Sequence, residues 1–199
     1  MFYKTDRHHG LPYNPFKALV APRPIGWIST VGADGVLNLA PYSYFNAIGD
    51  EPPMVVFSST GYKDTVANVK ATGEFVCNLV TKDLSDAMNA SSAAVPDHVS
   101  EFELAGVTPV QSELVSAPRV GEAKAALECK AVKVEQLRDI DGNELNQWLV
   151  TGQVVGVYIS DDALEDGRVK TAALQPLARL GYMDYSAVDE VFSLKRPGS

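Results

Sequence analysis

The chain has 199 residues, 46% of them apolar and 21% charged, with a net charge of −8; that supplies the core of one domain. No run approaches the roughly 20 consecutive apolar residues of a membrane span, and the acidic balance disfavours nucleic acid and anionic membranes as partners. The start, Met1–His9, lacks a charged-then-apolar signal layout, so a cytoplasmic protein is expected.

Pro24–Val31 (PIGWISTV) reads as a strand, Gly32-Ala-Asp-Gly35 as a hairpin turn, and Val36–Ile48 as a second extended run. Asp50-Glu-Pro-Pro53 ends that unit, and Met54–Ser59 reads as a buried strand. Asp64–Ala71 suits a short helix with Asp64 as N-cap, Val66 and Val69 on its apolar face and Lys70 near its C-terminus. Glu74–Val80 is strand-like. Lys82–Ala94 is predicted helical from the spacing of Leu84, Ala87 and Met88, and Pro96–Val120 is predicted irregular.

In Ala126–Arg138, Leu127, Cys129 and Ala131 share one parity while Val132 and Val134 share the other, which predicts a bulge or a bend. After the turn Asp141-Gly-Asn143, Trp148–Ile159 returns with Gly152 and Gly156 on one parity, where a barrel strand can bend or admit a close neighbour. Long antiparallel strands with short helices predict a mainly β barrel. Regular βαβ alternation is missing, which disfavours a doubly wound fold. A single domain is expected over residues 1–199, with its core at about 15–185.

Familiar catalytic signatures are absent: no GxSxG, no P-loop and no GxGxxG. No acidic pair stands out as an acid/base couple, and no catalytic side chain is assigned. His8, His9 and His98 are too scattered to suggest a metal site. Cys77 and Cys129 form no CxxC and read as structural thiols, with a redox role as the alternative. Ser58-Ser-Thr-Gly-Tyr-Lys-Asp-Thr65 differs from all of these. A buried strand runs into three hydroxyl residues, a glycine and a lysine, and then a helix begins. Such a helix start favours an anion through its backbone N–H groups and its dipole, so the segment suits a phosphate monoester. An ordinary polar turn leading into a capped helix fits it as well. Asn38-Leu-Ala-Pro-Tyr-Ser-Tyr-Phe-Asn46 offers apolar faces and edge hydrogen bonds to a flat ring, or is a strand with an aromatic core face.

Four blocks, in order, resemble the flavin reductase-like domain, the FMN-binding split-barrel family that includes flavoredoxins and reductase components of two-component monooxygenases. They are Pro22-Arg-Pro-Ile-Gly-Trp-Ile-Ser-Thr30, Asn38–Phe45, Pro52–Ser59 with Lys63-Asp-Thr65, and Gln175-Pro-Leu-Ala-Arg-Leu-Gly181. The resemblance implies a six-stranded antiparallel split barrel with short helical additions, in a homodimer with FMN near the subunit interface. Carried over by position, Ala40, Pro41, Tyr42 and Ser43 border the flavin ring. Ser58, Ser59, Thr60, Lys63 and Thr65 surround the phosphate, Ser29 and Thr30 reach the cofactor from the neighbouring strand, and Arg179 approaches the site or the dimer contact. FMN is the implied cofactor, with FAD or riboflavin as alternatives, and NAD(P)H the implied electron donor. Many relatives carry a histidine segment for the nicotinamide, a role not assigned to His98. The resemblance implies hydride transfer from NAD(P)H to flavin, with a flavin-dependent monooxygenase or another redox protein as the implied partner. The alternative is a non-catalytic FMN electron carrier of the flavoredoxin kind.

Overall fold

The computed structural model describes residues 1–96 and 98–198. Gly35, at φ +86°, turns the chain so that its N–H reaches the Gly32 carbonyl at 2.9 Å. This folds Gly26–Val31 (β1) onto Leu37–Tyr42 (β2), with Thr30 opposite Asn38 and Trp27 opposite Pro41. The chain then bends at Ser43–Tyr44 and continues as Phe45–Asp50 (β3), Pro53–Thr60 (β4) and Glu74–Leu79 (β5). Two long strands follow, Ala125–Arg138 (β6) and Glu144–Ile159 (β7). All seven lie in one antiparallel sheet in the order β2-β1-β5-β6-β7-β4-β3.

The two edge strands, β2 and β3, are consecutive in the chain. The sheet therefore curls until its edges meet at the Ser43–Tyr44 bend, where the Ser58 N–H donates to the Tyr44 carbonyl at 2.8 Å. Seven strands stand where six were expected, because the predicted run Val36–Ile48 is divided at this bend. Its first half pairs with β1 and its second with β4. Gly26 makes the closure feasible, since a Cβ there would lie 2.6 Å from the Phe45 ring.

The predicted bulge falls where the parity changes. Thr151 faces Lys133 and Gly152 faces Ala131, so Val132 has no residue opposite and its side chain is turned outward. Gly152 leaves room for Phe75, whose ring would sit 2.4 Å from an added Cβ. Inside the barrel, Ile28, Tyr42, Phe57, Val69, Phe75 and Val150 pack with the free, buried thiols of Cys77 and Cys129. Burial pushes the Cys77 thiol well above its usual pKa.

A second core, with Trp27, Leu39, Leu84, Met88, Phe102 and Val120, lies between the barrel wall and two short helices. One of these, Ser85–Ala90, preceded by the 3₁₀ turn Lys82–Leu84, occupies part of the segment predicted helical to Ala94. It stops early because Ser91 turns its hydroxyl back onto the Met88 carbonyl and accepts the Trp27 indole N–H at 2.8 Å. The other, Glu101–Ala105, lies in the stretch predicted irregular and ends at Gly106, φ +65°. The predicted helix after β4 spans Asp64–Thr72, with Lys63 rather than Asp64 at the N-cap because Lys63 has extended backbone angles. A small outer sheet joins Arg23–Pro24, Leu177–Arg179 and Tyr185–Ala187. Among the described residues no helix is long and apolar enough to cross a membrane.

Candidate functional site

A buried amide fixes the start of the helix Asp64–Thr72 to the barrel. Asn38 Nδ2 donates to Thr30 Oγ1 at 3.1 Å and to Thr65 Oγ1 at 2.9 Å, and Asn68 Nδ2 also donates to Thr30 Oγ1 at 3.1 Å. The N-terminus of that helix, held in this way, opens on a cleft of about 360 Å³. It is lined by Asn38, Ala40, Pro41 and Tyr42 of β2, by Lys63, Asp64 and Thr65, and by Ser91–Val95 and Glu101.

The first-turn amides of Thr65 and Val66 have no acceptor within the helix, by helix geometry. Beside them Lys63 is exposed and Tyr42 is buried. The Tyr42 hydroxyl makes no well-formed hydrogen bond, although it lies near Thr65 and Ser59. Burial raises its pKa, and those two hydroxyls offset part of the rise. Glu101 is also buried, and its carboxylate accepts the Leu39 N–H at 3.0 Å. Burial pushes Glu101 upward too; the Leu39 bond opposes this, and Asp64 adds to it. The cleft thus sets one lysine and a helix start against two carboxyl groups.

The hydroxyls of the preceding turn are engaged within the protein. Gln147 Nε2 donates to Ser58 Oγ at 2.5 Å, Thr60 Oγ1 donates to Gln147 Oε1 at 2.9 Å, and Ser59 Oγ donates to the Gly61 carbonyl at 3.0 Å. Gly61, at φ +90°, lets the turn curl so that its N–H meets the Asn146 carbonyl at 3.1 Å. Ser43 and Ser58 face a second cleft of about 540 Å³, past the bend, with Val20, Pro22, Arg23, Tyr44, Phe45 and Leu149.

Of the residues singled out in the sequence, Ala40, Pro41, Tyr42, Lys63 and Thr65 line the first cleft. Ser43 and Ser58 belong to the second, Thr30 and Ser59 lie buried behind the walls, and Thr60 is exposed. Ser29 lies on the opposite face of β1 from Thr30, donating to the Pro118 carbonyl at 2.5 Å and accepting from Asn78 at 3.1 Å. Arg179 lines neither cleft: it donates to the Tyr182 carbonyl at 2.5 Å and stacks on Tyr185 with its guanidinium carbon 4.4 Å from the ring centroid. His98 is exposed and faces a separate hollow with Val36, Leu37 and Phe102.

Asn38, Ser91–Val95 and Glu101 were not among the predicted site residues. Asn38 carried a signal, as a polar residue on the buried parity of an apolar strand. Ser91–Val95 carried none, because tertiary packing alone brings it opposite β2. Among the described residues no three His, Cys, Asp or Glu side chains gather as metal ligands would.

A family model described as flavin reductase like domain matches residues 19–185. An uncharacterized protein of Aquifex aeolicus is 39% identical over 175 residues, which are 85% of this chain and 86% of that protein. The crystal structure of nitrilotriacetate monooxygenase component B from Bacillus cereus is similar at a TM-score of 0.88 and 32% identity, over 98% of each chain. That of a Pseudomonas fluorescens 2-nitrobenzoate 2-nitroreductase is similar at 0.85 and 28% identity, over 100% of this chain and 96% of the other.

Proposed function

The chain belongs to the flavin reductase-like domain family, and from that premise we propose that it is an FMN-dependent oxidoreductase taking electrons from NAD(P)H. The observation that carries this reading is the meeting of Lys63, Thr65 and the β2 residues Ala40, Pro41 and Tyr42 in one cleft at a helix start. Lys63 and the helix start suit a phosphate.

Ala40, Pro41, Ala93, Ala94 and Val95 all line the cleft, which gives a flat ring apolar surface to rest on. The volume of about 360 Å³ sits in the lower part of the roughly 300–1,000 Å³ range of ligand pockets. The residues present therefore fit FMN: Lys63 and the helix start would hold the phosphate, and β2 with Ser91–Val95 would hold the ring. Asp64 and Glu101 oppose an anion there, so Lys63 is needed to offset them. FMN bound in this cleft would supply the two-electron redox chemistry. The chain's own part is to bind, to orient and to exclude water; no side chain is required as acid or base.

In the same reading the protein is a cytoplasmic homodimer. The apolar second cleft lies at its subunit contact, and an oxygenase or another redox protein takes up the electrons. The test is direct. Purified protein is titrated with FMN, and oxidation of NADH and of NADPH is then followed with FMN in excess. Saturable binding with turnover is expected. Binding without turnover would instead identify an electron carrier of the flavoredoxin kind, and failure to bind FMN would overturn both.

A further inference from the structure

Outside the first cleft, three side chains form a surface that the proposed function leaves unused. The rings of Tyr62 and Trp148 meet edge to face, with centroids 4.8 Å apart and planes at 68°. The Lys70 ammonium lies 5.7 Å from the Tyr62 centroid and 5.6 Å from that of Trp148. Tyr62 is 50% exposed, Lys70 is exposed and Trp148 half-buried, so aromatic surface and a cation are open to solvent together. Burial does not explain Tyr62, since an aromatic ring that merely plugged the barrel end would be covered. Position supplies a further argument. Tyr62 immediately precedes Lys63, so their Cα atoms are about 3.8 Å apart, and the surface adjoins the group assigned to the flavin phosphate.

We propose that Tyr62, Trp148 and Lys70 form a docking platform for an adenylate group. The proposal rests on the FMN reading of the neighbouring cleft. An adenylate presents a flat purine and an anionic phosphate. Purines stack on exposed aromatic rings, and an ammonium suits the phosphate. In a chain of net charge −8, a cation fixed beside two rings is a local exception that complements such a ligand. FMN has no group to place there. Two ligands have: FAD, whose adenylate continues from the flavin phosphate, and NAD(P)H, whose adenylate is joined to the nicotinamide nucleotide.

Differential binding tests this. Dissociation constants for FMN and FAD are measured on the full chain, on Tyr62→Ala, on Lys70→Ala and on Tyr62→Phe, with FMN binding serving as the control for folding. If FAD supplies the adenylate, Tyr62→Ala weakens FAD roughly tenfold and leaves FMN unchanged, while Tyr62→Phe restores FAD. If NAD(P)H supplies it, the flavin constants hold and KM rises for NADH but not for reduced nicotinamide mononucleotide, which lacks the adenylate. Equal weakening of FMN and FAD, or no change for any ligand, overturns the platform. If the unmodified protein fails to bind FMN, the flavin reading falls by itself. Calorimetric titration with 5′-AMP, on the unmodified chain against Tyr62→Ala, then still decides the platform: loss of AMP binding in the variant upholds it, and absence of AMP binding overturns it.

Discussion

The two clefts are lined by successive stretches of the chain, one by β2 up to Tyr42 and the other from Ser43 onward, but are held in different ways. In the first, the groups facing the ligand space are fixed by buried side-chain hydrogen bonds, Asn38 to Thr30 and Thr65 and Glu101 to the Leu39 amide. In the second, lined by Val20, Pro22, Phe45 and Leu149, one buried arginine keeps the outer wall in place. Arg23 donates to the carbonyls of Lys17 and Val20 at 2.5 Å each and of Leu180 at 2.8 Å. A polar cleft with its donors set in advance suits a charged ligand. An apolar cleft braced from behind suits a ring or a second chain. The bend at Ser43–Tyr44 separates them, sending Tyr42 to one side and Ser43 to the other.

Removing the brace of the second cleft should have the largest effect. Arg23→Met deletes three hydrogen bonds from a charged donor, each contributing roughly 1.5–3 kcal/mol, and leaves three carbonyls to find water. Solvent recovers part of this, so a loss of about 3–5 kcal/mol is expected in denaturant unfolding. The division into two independently held clefts further requires that the surviving folded protein bind FMN as before. FMN binding that fell in step with stability would show the clefts to be one mechanical unit.

Asn38→Ala attacks the first cleft in the same way. It strands the Thr65 hydroxyl and removes one of two donors from Thr30, for an expected loss of about 2 kcal/mol. Here FMN affinity should fall as well, because the helix start loses its tie to β2. Unchanged FMN affinity in Asn38→Ala would mean that the helix N-terminus does not hold the phosphate.

Lys63→Ala sharpens the contrast at less cost to the fold. One charge-assisted phosphate contact contributes roughly 1.5–3 kcal/mol, and the exposure of Lys63 places it at the lower end. FMN should weaken about tenfold and riboflavin, which lacks the phosphate, should not. Equal loss for both ligands would remove Lys63 from its assigned role.

Much of the frame was legible because it rests on local chemistry. The Asp34-Gly35 turn, the helix start after Lys63 and the parity change at Val132 each act within a few residues, and each lies within two residues of its predicted place. The site was legible in part. Ala40–Tyr42, Lys63 and Thr65 line one cleft, whereas the hydroxyls of Ser58, Ser59 and Thr60 bond to the turn and to Gln147. Hydroxyls in a tight turn have backbone and neighbouring amides within reach, and composition does not reveal which partner they take. The wall Ser91–Val95 and the carboxyl of Glu101 depend on contacts more than fifty residues away along the chain, as the bond from the Leu39 amide to Glu101 shows. The helix Glu101–Ala105, only five residues long, is too short to leave a periodic signature.

The smallest expected effect concerns the acid side of the first cleft. Burial holds Glu101 above the usual carboxylate pKa, with Asp64 adding to the rise and the Leu39 N–H opposing it. Below the ordinary carboxylate range, Glu101 is protonated in both the folded and unfolded chain and costs nothing. As pH rises into the window between the ordinary and the raised value, the unfolded chain releases its proton first, so stability declines until the folded value is passed. Glu101→Gln retains an oxygen for the Leu39 amide and removes the titration, so this decline should vanish from a stability–pH profile. The same charge faces the anion assigned to Lys63. FMN binding by the unmodified chain should therefore weaken through that window relative to Glu101→Gln, while riboflavin binding runs parallel in the two proteins. Parallel FMN profiles would place the phosphate beyond the reach of Glu101, and the polar cleft would then lose its anion while keeping its ring.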